Sequence, residues 1–361
     1  MCRKRMLPCQ VWWIIWGDEV IQTISINPHQ VKDYTCVTIN AQGMLNGFPF
    51  LSIDRDSYLV SVEIQSGINF DPASGRHCVA MGKCCSLAES ITFMIDINHD
   101  YKSVCQGELT CLEGVRSGFR ITRKGSILLQ NDVWIGHGAT IMSGVTLHNG
   151  CVVAAESMVT KDVPPYGIVG GNPAKILGYR FDEATIAGLQ KIAWWDWPVP
   201  VQEARKKDFR LSAPEFTAKY LPEAEERLHK VQIVPPPRTR VRATETVLLI
   251  PDFTEPFPLY PKIMDQYFAQ DRPGQELLLY VSKQDSTPRH LGILENILHK
   301  YQERDCDVTL QTGETLDEHI LFQHADYYIT TRSRETIFRT CLADLYHTKI
   351  LYGTDEPIFH K

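Results

Sequence analysis

His99 is the first candidate in this sequence for acid–base chemistry. It lies in the polar stretch Asp96-Ile-Asn-His-Asp100. A neutral imidazole, whose unperturbed pKa is about 6.5, accepts a proton near neutral pH and can serve as a general base. Spacing alone leaves the ordinary alternative open, because a lone histidine in a loop is usually a solvated side chain.

The eleven cysteines are the other reactive side chains. They form no CxxC pair and no metal-ligand spacing, so the sequence predicts no metal site. A disulfide scaffold does not suit a chain of 361 residues that has no secretion signal. Reduced cysteines in a cytoplasmic protein are therefore expected.

The composition is that of a globular protein, with 43% hydrophobic and 22% charged residues. The net charge of −6 gives no basic footprint, so nucleic acid is not an expected partner. No apolar run approaches the roughly 18 residues of a membrane span, so no transmembrane segment is expected. Near the N-terminus, 11–16 and 19–24 flank Gly17-Asp18 and predict a β-hairpin.

A period of six residues begins at Leu129. The first position of each hexad is always aliphatic, and the fifth is small or β-branched. The first positions are Leu129, Ile135, Ile141, Leu147, Val153 and Val159, and the fifth are Val133, Ala139, Val145, Cys151, Ser157 and Val163. Glycines lie between them. A shorter run, 81–93, precedes this one in the same period.

Such a period predicts a parallel β-helix, in which three short strands make one turn of about 18 residues and each turn buries its aliphatic side chains against its neighbours. The two runs are separated by a polar interruption over roughly 95–125, which does not keep the period. An insertion on one side of a solenoid often carries the function, and His99 lies within it.

Several motifs here resemble those of the left-handed β-helix hexapeptide acyltransferases. They are Gly82-Lys-Cys-Cys-Ser-Leu-Ala, Asn98-His99, Asn131-Asp-Val-Trp-Ile-Gly136, Val159-Thr-Lys-Asp-Val-Pro-Pro-Tyr-Gly-Ile-Val-Gly-Gly-Asn-Pro-Ala-Lys175 and Trp194-Trp195-Asp196-Trp197. Within that family the sequence is similar to the xenobiotic acetyltransferase branch, which includes chloramphenicol and streptogramin acetyltransferases and many sugar O-acetyltransferases. The resemblance covers about residues 64 to 210.

The resemblance implies that His99 is the catalytic base. It would take the proton from an acceptor hydroxyl or amine as that group attacks a thioester in a direct transfer. A carboxylate or a carbonyl would hold the other ring nitrogen, with Asp96, Asp100 and Glu89 as candidates. The opposing mechanism uses a cysteine nucleophile. Cys84 and Cys85 lie in a repeat and Cys105 lies nearer to His99, but no motif marks a thiol of lowered pKa.

The resemblance also implies acetyl-CoA as the donor, bound in a groove between neighbouring coils of a homotrimer. Trp134, Gly136, Ala154 and Ala155 match positions along that groove. Lys161, Lys175 and Arg180 are candidates for contacts with the CoA phosphates, although each also fits a solvated surface charge. His137 is a weaker candidate for the groove, and His148 is expected to be an exposed coil residue.

After the coil, the spacing of Ile186, Leu189 and Ile192 predicts an amphipathic helix over 182–195 with Asp182 as its N-cap. Trp194, Trp195 and Trp197 are expected to pack it onto the coil. From Glu245 onward short apolar runs alternate with helical stretches, which predicts a small parallel sheet covered by helices. The segment 330–334 joins a strand to a helix, where anions can bind, although Ser333 as a simple helix cap is also expected.

The predicted fold is therefore a mainly β left-handed parallel β-helix (a hexapeptide solenoid) with a helical tail, followed by a separate α/β Rossmann-like domain. The predicted segments are a β-rich N-terminus over 1–63, which includes the hairpin and candidate degenerate coils, the β-helix over 64–180 with its loop at 95–125, the helical tail over 181–230, a linker over 231–244 and the α/β domain over 245–361.

We expect an acetyl-CoA-dependent O-acetyltransferase that acts on a sugar hydroxyl of a surface polysaccharide or its precursor. The carbohydrate acceptor follows from the extra C-terminal domain, since a small drug needs no such platform. The alternatives are a chloramphenicol or streptogramin O-acetyltransferase, a sugar N-acetyltransferase, and a hexapeptide scaffold that binds CoA or a partner without turnover.

Overall fold

The computed structural model divides the chain into two compact units, Met1–Gly178 and Tyr179–Lys361. The residues that the structure describes are 9–16, 19–26, 51–66, 79–95, 98, 102, 104, 124–230, 245–253, 258–270, 272–302, 307–313, 318–331, 335–353 and 358.

The first unit consists of short strands joined by turns. They are β1 (Cys9–Trp16), β2 (Glu19–Ile26), β3 (Leu51–Ile53), β4 (Tyr58–Leu59), β5 (Val62–Ser66), β6 (Val79–Met81), β7 (Ser86–Leu87), β8 (Ile91–Ile95), β9 (Ile127–Leu129), β10 (Trp134–Ile135), β11 (Thr140–Met142), β12 (Thr146–Leu147), β13 (Val152–Val153), β14 (Met158–Val159), β15 (Gly167–Gly170) and β16 (Lys175–Tyr179).

These strands form three sheets that the chain visits in turn. Sheet A has the order β1-β2-β5-β8-β11-β14, sheet B the order β12-β9-β6-β3, and sheet C the order β16-β15-β13-β10-β7-β4. In the coil proper the strands are parallel, and Ile135 pairs with Val153, eighteen positions further on. The pairing of Leu129 with Leu147 has the same separation. The predicted turn of 18 residues is thus confirmed.

The coil interior is built from two positions of each hexad. All six first-position aliphatics from Leu129 to Val159 are at most 1% exposed, and the five fifth-position residues from Val133 to Ser157 are at most 2% exposed. Each turn therefore stacks its apolar side chains on those of the turns above and below, which is what holds a solenoid together.

The fourth position of the hexad turns the corner in the left-handed region. Gly144 has a φ of +77°, and Asp132, in the equivalent position two hexads earlier, has a φ of +57°. At Gly144 an added Cβ would lie 1.8 Å from the carbonyl oxygen of Lys124. Glycine is required there by both the backbone angle and the space.

A polar ladder closes the corner between sheets B and C. The Asn131 side chain accepts a hydrogen bond from the Lys83 N–H at 2.9 Å and donates to the Asn149 side-chain oxygen at 3.1 Å. The Asn149 N–H in turn donates to the Gln130 side chain at 2.9 Å. These buried amides form hydrogen bonds with backbone groups that have no partner within a strand. The corner can therefore be buried with little loss of folding free energy.

The period is broken in two places that bear on function. Ile141 pairs with Phe93, forty-eight positions earlier, so one turn carries thirty additional residues between β8 and β9. At the other end, Val163 bridges Leu147 across sixteen positions, so the last turn is two residues shorter. The sequence assigned Val163 to a fifth position. It occupies a first position instead, because the turn at Lys161-Asp162 is contracted.

The coil begins before residue 64. Strands β3 and β4 pair in parallel with β6 and β7, so part of the segment 1–63 belongs to the stack, as the candidate degenerate coils require. β1 and β2 pair antiparallel from Cys9 with Ile26 to Trp16 with Glu19, in agreement with the predicted hairpin. The turn residues Gly17 and Asp18 lie outside the described residues.

The second unit opens with three helices, α1 (Glu183–Ile192), α2 (Val199–Arg205) and α3 (Ala213–Lys230). Asp182 caps α1 as predicted, accepting from the Thr185 N–H at 2.9 Å. The helix ends at Ile192 rather than at 195, because Ala193 adopts the left-handed conformation and a 3-10 turn follows. Within this unit Trp197 stacks on Phe216 and meets Tyr220 edge-on. The predicted linker, 231–244, lies outside the described residues.

The rest of the second unit alternates strands and helices. They are β17 (Glu245–Leu249), α4 (Tyr260–Ala269), β18 (Gln275–Ser282), α5 (Pro288–His299), β19 (Asp307–Gly313), α6 (Glu318–His324), β20 (Tyr327–Thr330), α7 (Thr336–Leu345) and β21 (Lys349–Tyr352). The strands form one sheet of order β19-β18-β17-β20-β21 in which all neighbours are parallel. The predicted parallel sheet is confirmed.

Two separate apolar clusters cover the two faces of this sheet. One joins Val247, Leu277 and Ile329 to side chains of α4 and α5. The other joins Leu248, Leu278 and Tyr328 to side chains of α6 and α7. Neighbouring strand residues point to opposite faces, so the first pair of helices lies on one face and the second pair on the other. Among the described residues, no helix is long and apolar enough to cross a membrane.

Candidate functional site

The predicted base lies in the interruption, most of which falls outside the described residues. His99, Asp96, Asp100 and Cys105 are all in that part of the chain. The structure fixes the two ends of the insertion: β8 ends at Ile95 in sheet A, and the described chain resumes at Lys124 before β9 in sheet B. Asn98, beside His99, is half-buried, and Glu89 is exposed. His99 therefore stays a prediction.

A row of small residues runs along the coil where sheet C turns towards sheet A. We call Ala88, Gly136, Ala154 and Gly170 the small-residue row. The N–H of Gly136 donates to the Val153 carbonyl at 2.8 Å, and the N–H of Ala154 donates to the Val169 carbonyl at 2.8 Å. Their backbone N–H groups therefore join successive turns, and their side chains leave the outer surface shallow.

Close approach of the backbone of the next turn explains why Gly136 is a glycine. An added Cβ at Gly136 would lie 2.6 Å from the Ala155 nitrogen. Gly136, Ala154 and Ala155, three residues predicted for the donor groove, are thus brought together. At the end of the row, a Cβ on Gly170 would lie 2.8 Å from a methyl group of Leu177, a side chain that is 67% exposed.

Trp134 stands on the outer face of sheet C beside this row. It is the residue before Ile135 in β10 and pairs with Val152 and Ser86 on the neighbouring strands. Its side chain is 56% exposed, in contrast to the fully buried Ile135 next to it. An exposed indole beside a shallow backbone surface gives one wall of a groove that an extended, flexible ligand can follow.

The three predicted cations belong to different elements of the chain. Lys175 begins β16, the strand that borders β15 at the end of sheet C, and is exposed. Lys161 is exposed at the next corner, after sheet A. Arg180 belongs to the second unit, where its guanidinium lies 5.1 Å from the centre of the Phe181 ring. Of the three, Lys175 lies on the strand next to the row.

The two coil histidines differ from each other. His137 is exposed, and its Nε2 lies 3.8 Å from a Glu156 carboxylate oxygen. His148 was expected to be exposed and is instead half-buried, because the contracted last turn folds against it and its N–H donates to the Val163 carbonyl at 3.1 Å. Neither residue belongs to the small-residue row.

The described coil cysteines are poor nucleophiles. Burial raises the pKa of the Cys85 thiol to about 12, and the thiol donates to the Gln130 carbonyl at 3.1 Å. Burial, reinforced by Asp56 and Asp132, raises the pKa of Cys84 to about 12 as well. Cys151 is buried too. Since the thiolate is the reactive form, these residues are structural.

Sequence reasoning missed two members of the row, Ala88 and Gly170. Both occupy the second position of a hexad, as Gly136 and Ala154 do. Extending the period into the run at 81–93 finds Ala88. Gly170 is found only after the two-residue contraction is allowed for, which the sequence did not reveal. In the described parts of the chain, no group of three or more His, Cys, Asp or Glu side chains is arranged to hold a metal ion.

Comparison with known proteins bears on the coil. The profile of the bacterial transferase hexapeptide family (six repeats) matches residues 126–161. A chloramphenicol acetyltransferase of Agrobacterium fabrum is 36% identical over 135 residues, which are 35% of this chain and 64% of that protein. A probable macrolide acetyltransferase of Lysinibacillus sphaericus is 37% identical over 123 residues, which are 32% of this chain and 68% of that protein.

Among solved structures, a hexapeptide-repeat acetyltransferase of Vibrio cholerae is 31% identical, with a TM-score of 0.20 over 29% of this chain and 57% of that one. Period, fold and relatives define a hexapeptide-repeat coil protein. The chain belongs to the hexapeptide-repeat acetyltransferases, the family of the macrolide relative. It matches more than two thirds of the length of that relative. It spans somewhat less, 64%, of the chloramphenicol relative.

Proposed function

We propose that the coil transfers an acetyl group from acetyl-CoA directly to a hydroxyl of a sugar. The observation that carries the proposal is the small-residue row on a coil of this family, flanked by exposed Trp134, with its first member, Ala88, on the turn that carries the thirty-residue insertion. The chloramphenicol and macrolide relatives are named as acetyltransferases, which supports the reaction class.

In this proposal the pantetheine arm lies along the small-residue row. An extended chain can approach the backbone only where side chains are absent or short, as at Gly136 and Ala154, and Trp134 would cover its flank. Lys161, Lys175 and Arg180 are proposed to meet the CoA phosphates, where a cation gains from charge-assisted hydrogen bonds. Lys175 is the best supported of the three, because its strand borders the row.

His99 is proposed as the general base. The acceptor O–H proton passes to a neutral imidazole nitrogen while the oxygen attacks the thioester carbonyl, and CoA thiol then leaves. Direct transfer is supported by the raised pKa values of Cys84 and Cys85, because an acyl-enzyme on either would need a thiolate that is scarce at neutral pH.

The assembly and location are proposed on related grounds. The family match supports a left-handed coil, and a groove along one sheet of such a coil is completed by a neighbouring copy, so a homotrimer is proposed. Cys84, Cys85, Cys151 and Cys341 form no disulfide, which supports a reducing, cytoplasmic location. The parallel order of β17 to β21 with helices on both faces supports a Rossmann-like domain.

The proposed acceptor is a sugar of a surface polysaccharide or its precursor. The second unit supports a large acceptor, because a small drug needs no additional α/β sheet for its recognition. The second candidate function is O-acetylation of an antibiotic, which the names of the relatives favour. Both candidates share the donor groove and the base, and they differ only in the acceptor.

Acceptor identity can be tested with radiolabelled acetyl-CoA. The full chain is incubated with capsular oligosaccharides, nucleotide sugars, chloramphenicol and a virginiamycin-type streptogramin in separate reactions. We expect label on a carbohydrate, in an alkali-labile ester. Label on a drug alone would overturn the proposal of a carbohydrate acceptor. Label in an alkali-stable amide would indicate a sugar N-acetyltransferase. CoA binding without any transfer would indicate a scaffold protein without enzymatic activity.

The donor groove can be tested with one substitution and a matched control. Ala155 is exposed beside the row, so Ala155→Trp should fold normally and raise the KM for acetyl-CoA by about tenfold or more by filling the groove. Asp54 is exposed at the turn after β3, and Asp54→Trp should leave that KM unchanged. Equal effects of the two substitutions would place the donor elsewhere.

A further inference from the structure

The strand order of the second unit reverses at one point. From β17 the chain proceeds outward through β18 to β19, and then returns to the opposite side of β17 for β20 and β21. α4 and α5 cover one face and α6 and α7 the other. The helices that follow β17 and β20 therefore leave towards opposite faces. Between them they open a crevice at the carboxyl ends of those two strands, where doubly wound sheets bind their ligands.

We define the switch crevice by the residues that follow the two strands, Ile250–Phe253 and Thr331. Leu248 pairs with Tyr328, and continuing this register by three residues brings Pro251 level with Thr331. Thr330 pairs with Tyr352 on the other side, and the Gly353 N–H donates to the Thr330 hydroxyl. The end of β20 is thus held between two neighbours.

The two helices that begin at the crevice have no side-chain cap. In α7 the N-cap residue is Glu335, and in α4 it is Leu259, and neither makes a side-chain cap hydrogen bond. α5 begins at the same edge after β18, and there the Thr287 hydroxyl caps the helix. Free N–H groups at the first turn of α7 give a site for an anion.

Thr331 supplies an independent sign of a ligand. It is 6% exposed, and its hydroxyl is buried without a hydrogen-bond partner. Its carbonyl oxygen accepts from the Thr336 hydroxyl at 2.5 Å, so Thr331 adjoins the first turn of α7. Burying an unpaired hydroxyl is unfavourable, and a ligand oxygen at this position would pair it.

A planar surface lies at the same edge of the sheet. The rings of Phe253 and His290 are stacked, with centres 4.2 Å apart and planes 3° from parallel. His290 Nδ1 lies 2.8 Å from the Asp285 carbonyl oxygen, which fixes the orientation of the ring. Phe253 belongs to the switch crevice, so a stacked aromatic pair and a site for an anion occur at one edge of the sheet.

From these observations we propose that the switch crevice binds a nucleoside diphosphate, free or linked to a sugar, with its phosphate at the Thr331 hydroxyl and the first turn of α7 and its base near Phe253. The phosphate is assigned to α7 because the unpaired Thr331 hydroxyl adjoins the first turn of that helix. Asp252 and Glu335 carry negative charge near the crevice, so magnesium is included in the titrations to offset the charge of the diphosphate. The sequence motif's two arginines, Arg332 and Arg334, lie outside the described residues.

The experiment is isothermal titration of the full chain, in magnesium chloride, with UDP, GDP, UDP-N-acetylglucosamine and inorganic pyrophosphate. We expect at least one nucleotide to bind saturably, once per chain, and more tightly than pyrophosphate. Failure of every nucleotide to bind would overturn the proposal, and pyrophosphate binding as tightly as the nucleotides would overturn the nucleoside class.

CoA contains a nucleoside diphosphate of its own, so each titration is repeated in saturating desulfo-CoA. Persistence of nucleotide binding is the expected result, and its loss would assign the nucleotide to the donor groove of the coil and overturn the proposal. Because this readout does not require acetyl transfer, failure of the proposed function and failure of the crevice are distinguished.

Thr331→Val provides the decisive variant, and Thr348→Val its control. Removing an unpaired hydroxyl should not lower the melting temperature, and it should weaken nucleotide binding by about tenfold. The Thr348 hydroxyl is also buried but donates to the Phe322 carbonyl at 3.0 Å. Thr348→Val should therefore lower the melting temperature and leave nucleotide affinity unchanged. Equal affinity in Thr331→Val and the unmodified chain would overturn the proposal.

Discussion

The coil and the α/β sheet use parallel strands in opposite ways. In the coil, short strands stack eighteen residues apart, and corners in the left-handed conformation join them directly. In the α/β sheet, a helix follows each of β17 to β20 and covers one face or the other. Each turn of the coil repeats its neighbour, so an insertion is recognised as a break in the six-residue period. In the sheet, the irregular feature is a point at which the strand order reverses.

In both units the proposed function lies where the pattern is interrupted. The coil is interrupted by thirty residues that include His99, and the sheet reverses its order between β17 and β20. Regular segments of either unit must satisfy packing first, because each residue there is fixed by its neighbours. Irregular segments are free of that requirement and can carry binding or catalytic side chains.

The largest expected effect comes from truncating the two cores. Ile141 and Ile329 are both fully buried, one in each unit. Ile141→Ala and Ile329→Ala should each lower the free energy of unfolding of their own unit by about 3 kcal/mol. Urea unfolding followed by peptide-resolved hydrogen exchange measures this. Simultaneous loss of protection in both units from either substitution would contradict their description as separate cores.

Glycine should be indispensable in the coil and replaceable in the sheet's helices. Gly144→Ala places a Cβ against the Lys124 carbonyl at a φ of +77°, and should cost about 2–3 kcal/mol of unfolding free energy. Gly292 lies in α5, where an added Cβ meets nothing within 4 Å. Gly292→Ala should therefore stabilise by about 0.5–1 kcal/mol. Thermal unfolding compares the two, and a neutral Gly144→Ala would refute the corner geometry.

Buried charge distinguishes the sheet from the helical tail that precedes it. Arg339 in α7 is 8% exposed and makes two hydrogen bonds, at 2.8 and 2.9 Å, to the Glu318 carboxylate. Arg339→Met leaves that carboxylate unpaired and should cost about 2 kcal/mol. Lys191 pairs with Glu225 on the surface, and Lys191→Met should cost less than about 0.5 kcal/mol. Comparable losses in denaturant titrations would show that the α7 pair contributes no more than a surface pair.

The smallest effect is expected at the coil cysteines. With a pKa of about 12, Cys84 and Cys85 should resist iodoacetamide at pH 8 in the native chain and react after unfolding. Mass spectrometry of tryptic peptides reads the modification. Cys84→Ala should leave acetyl transfer unchanged, and loss of turnover with fold retained would instead favour an acyl-enzyme.

The coil core was predictable because one simple period specifies it. First- and fifth-position residues could be read from the sequence alone, as could the interruption and the N-cap at Asp182. The contraction at Lys161-Asp162 was not predictable, because Val163 suits both a fifth and a first position. Gly170 and the half-burial of His148 follow from that contraction and were missed with it.

In the second unit the sequence predicted the alternation but not the strand order. Short apolar strands such as Thr246–Ile250 show that a parallel sheet forms, since helices separate them. They do not show which strands are neighbours, because that depends on long-range packing of α4 to α7. The unpaired hydroxyl of Thr331 likewise depends on three-dimensional contacts, and no sequence pattern predicts it.

The central claim, that the interruption of the coil carries the catalytic base, is tested most directly by the rate of acetyl transfer in His99→Ala. We predict a fall of at least about a hundredfold with unchanged affinity for CoA, measured by titration, since a general base acts on the acceptor and not on the donor. An Ala variant that transfers acetyl at the full rate would contradict the claim, and so would one that loses CoA binding together with activity.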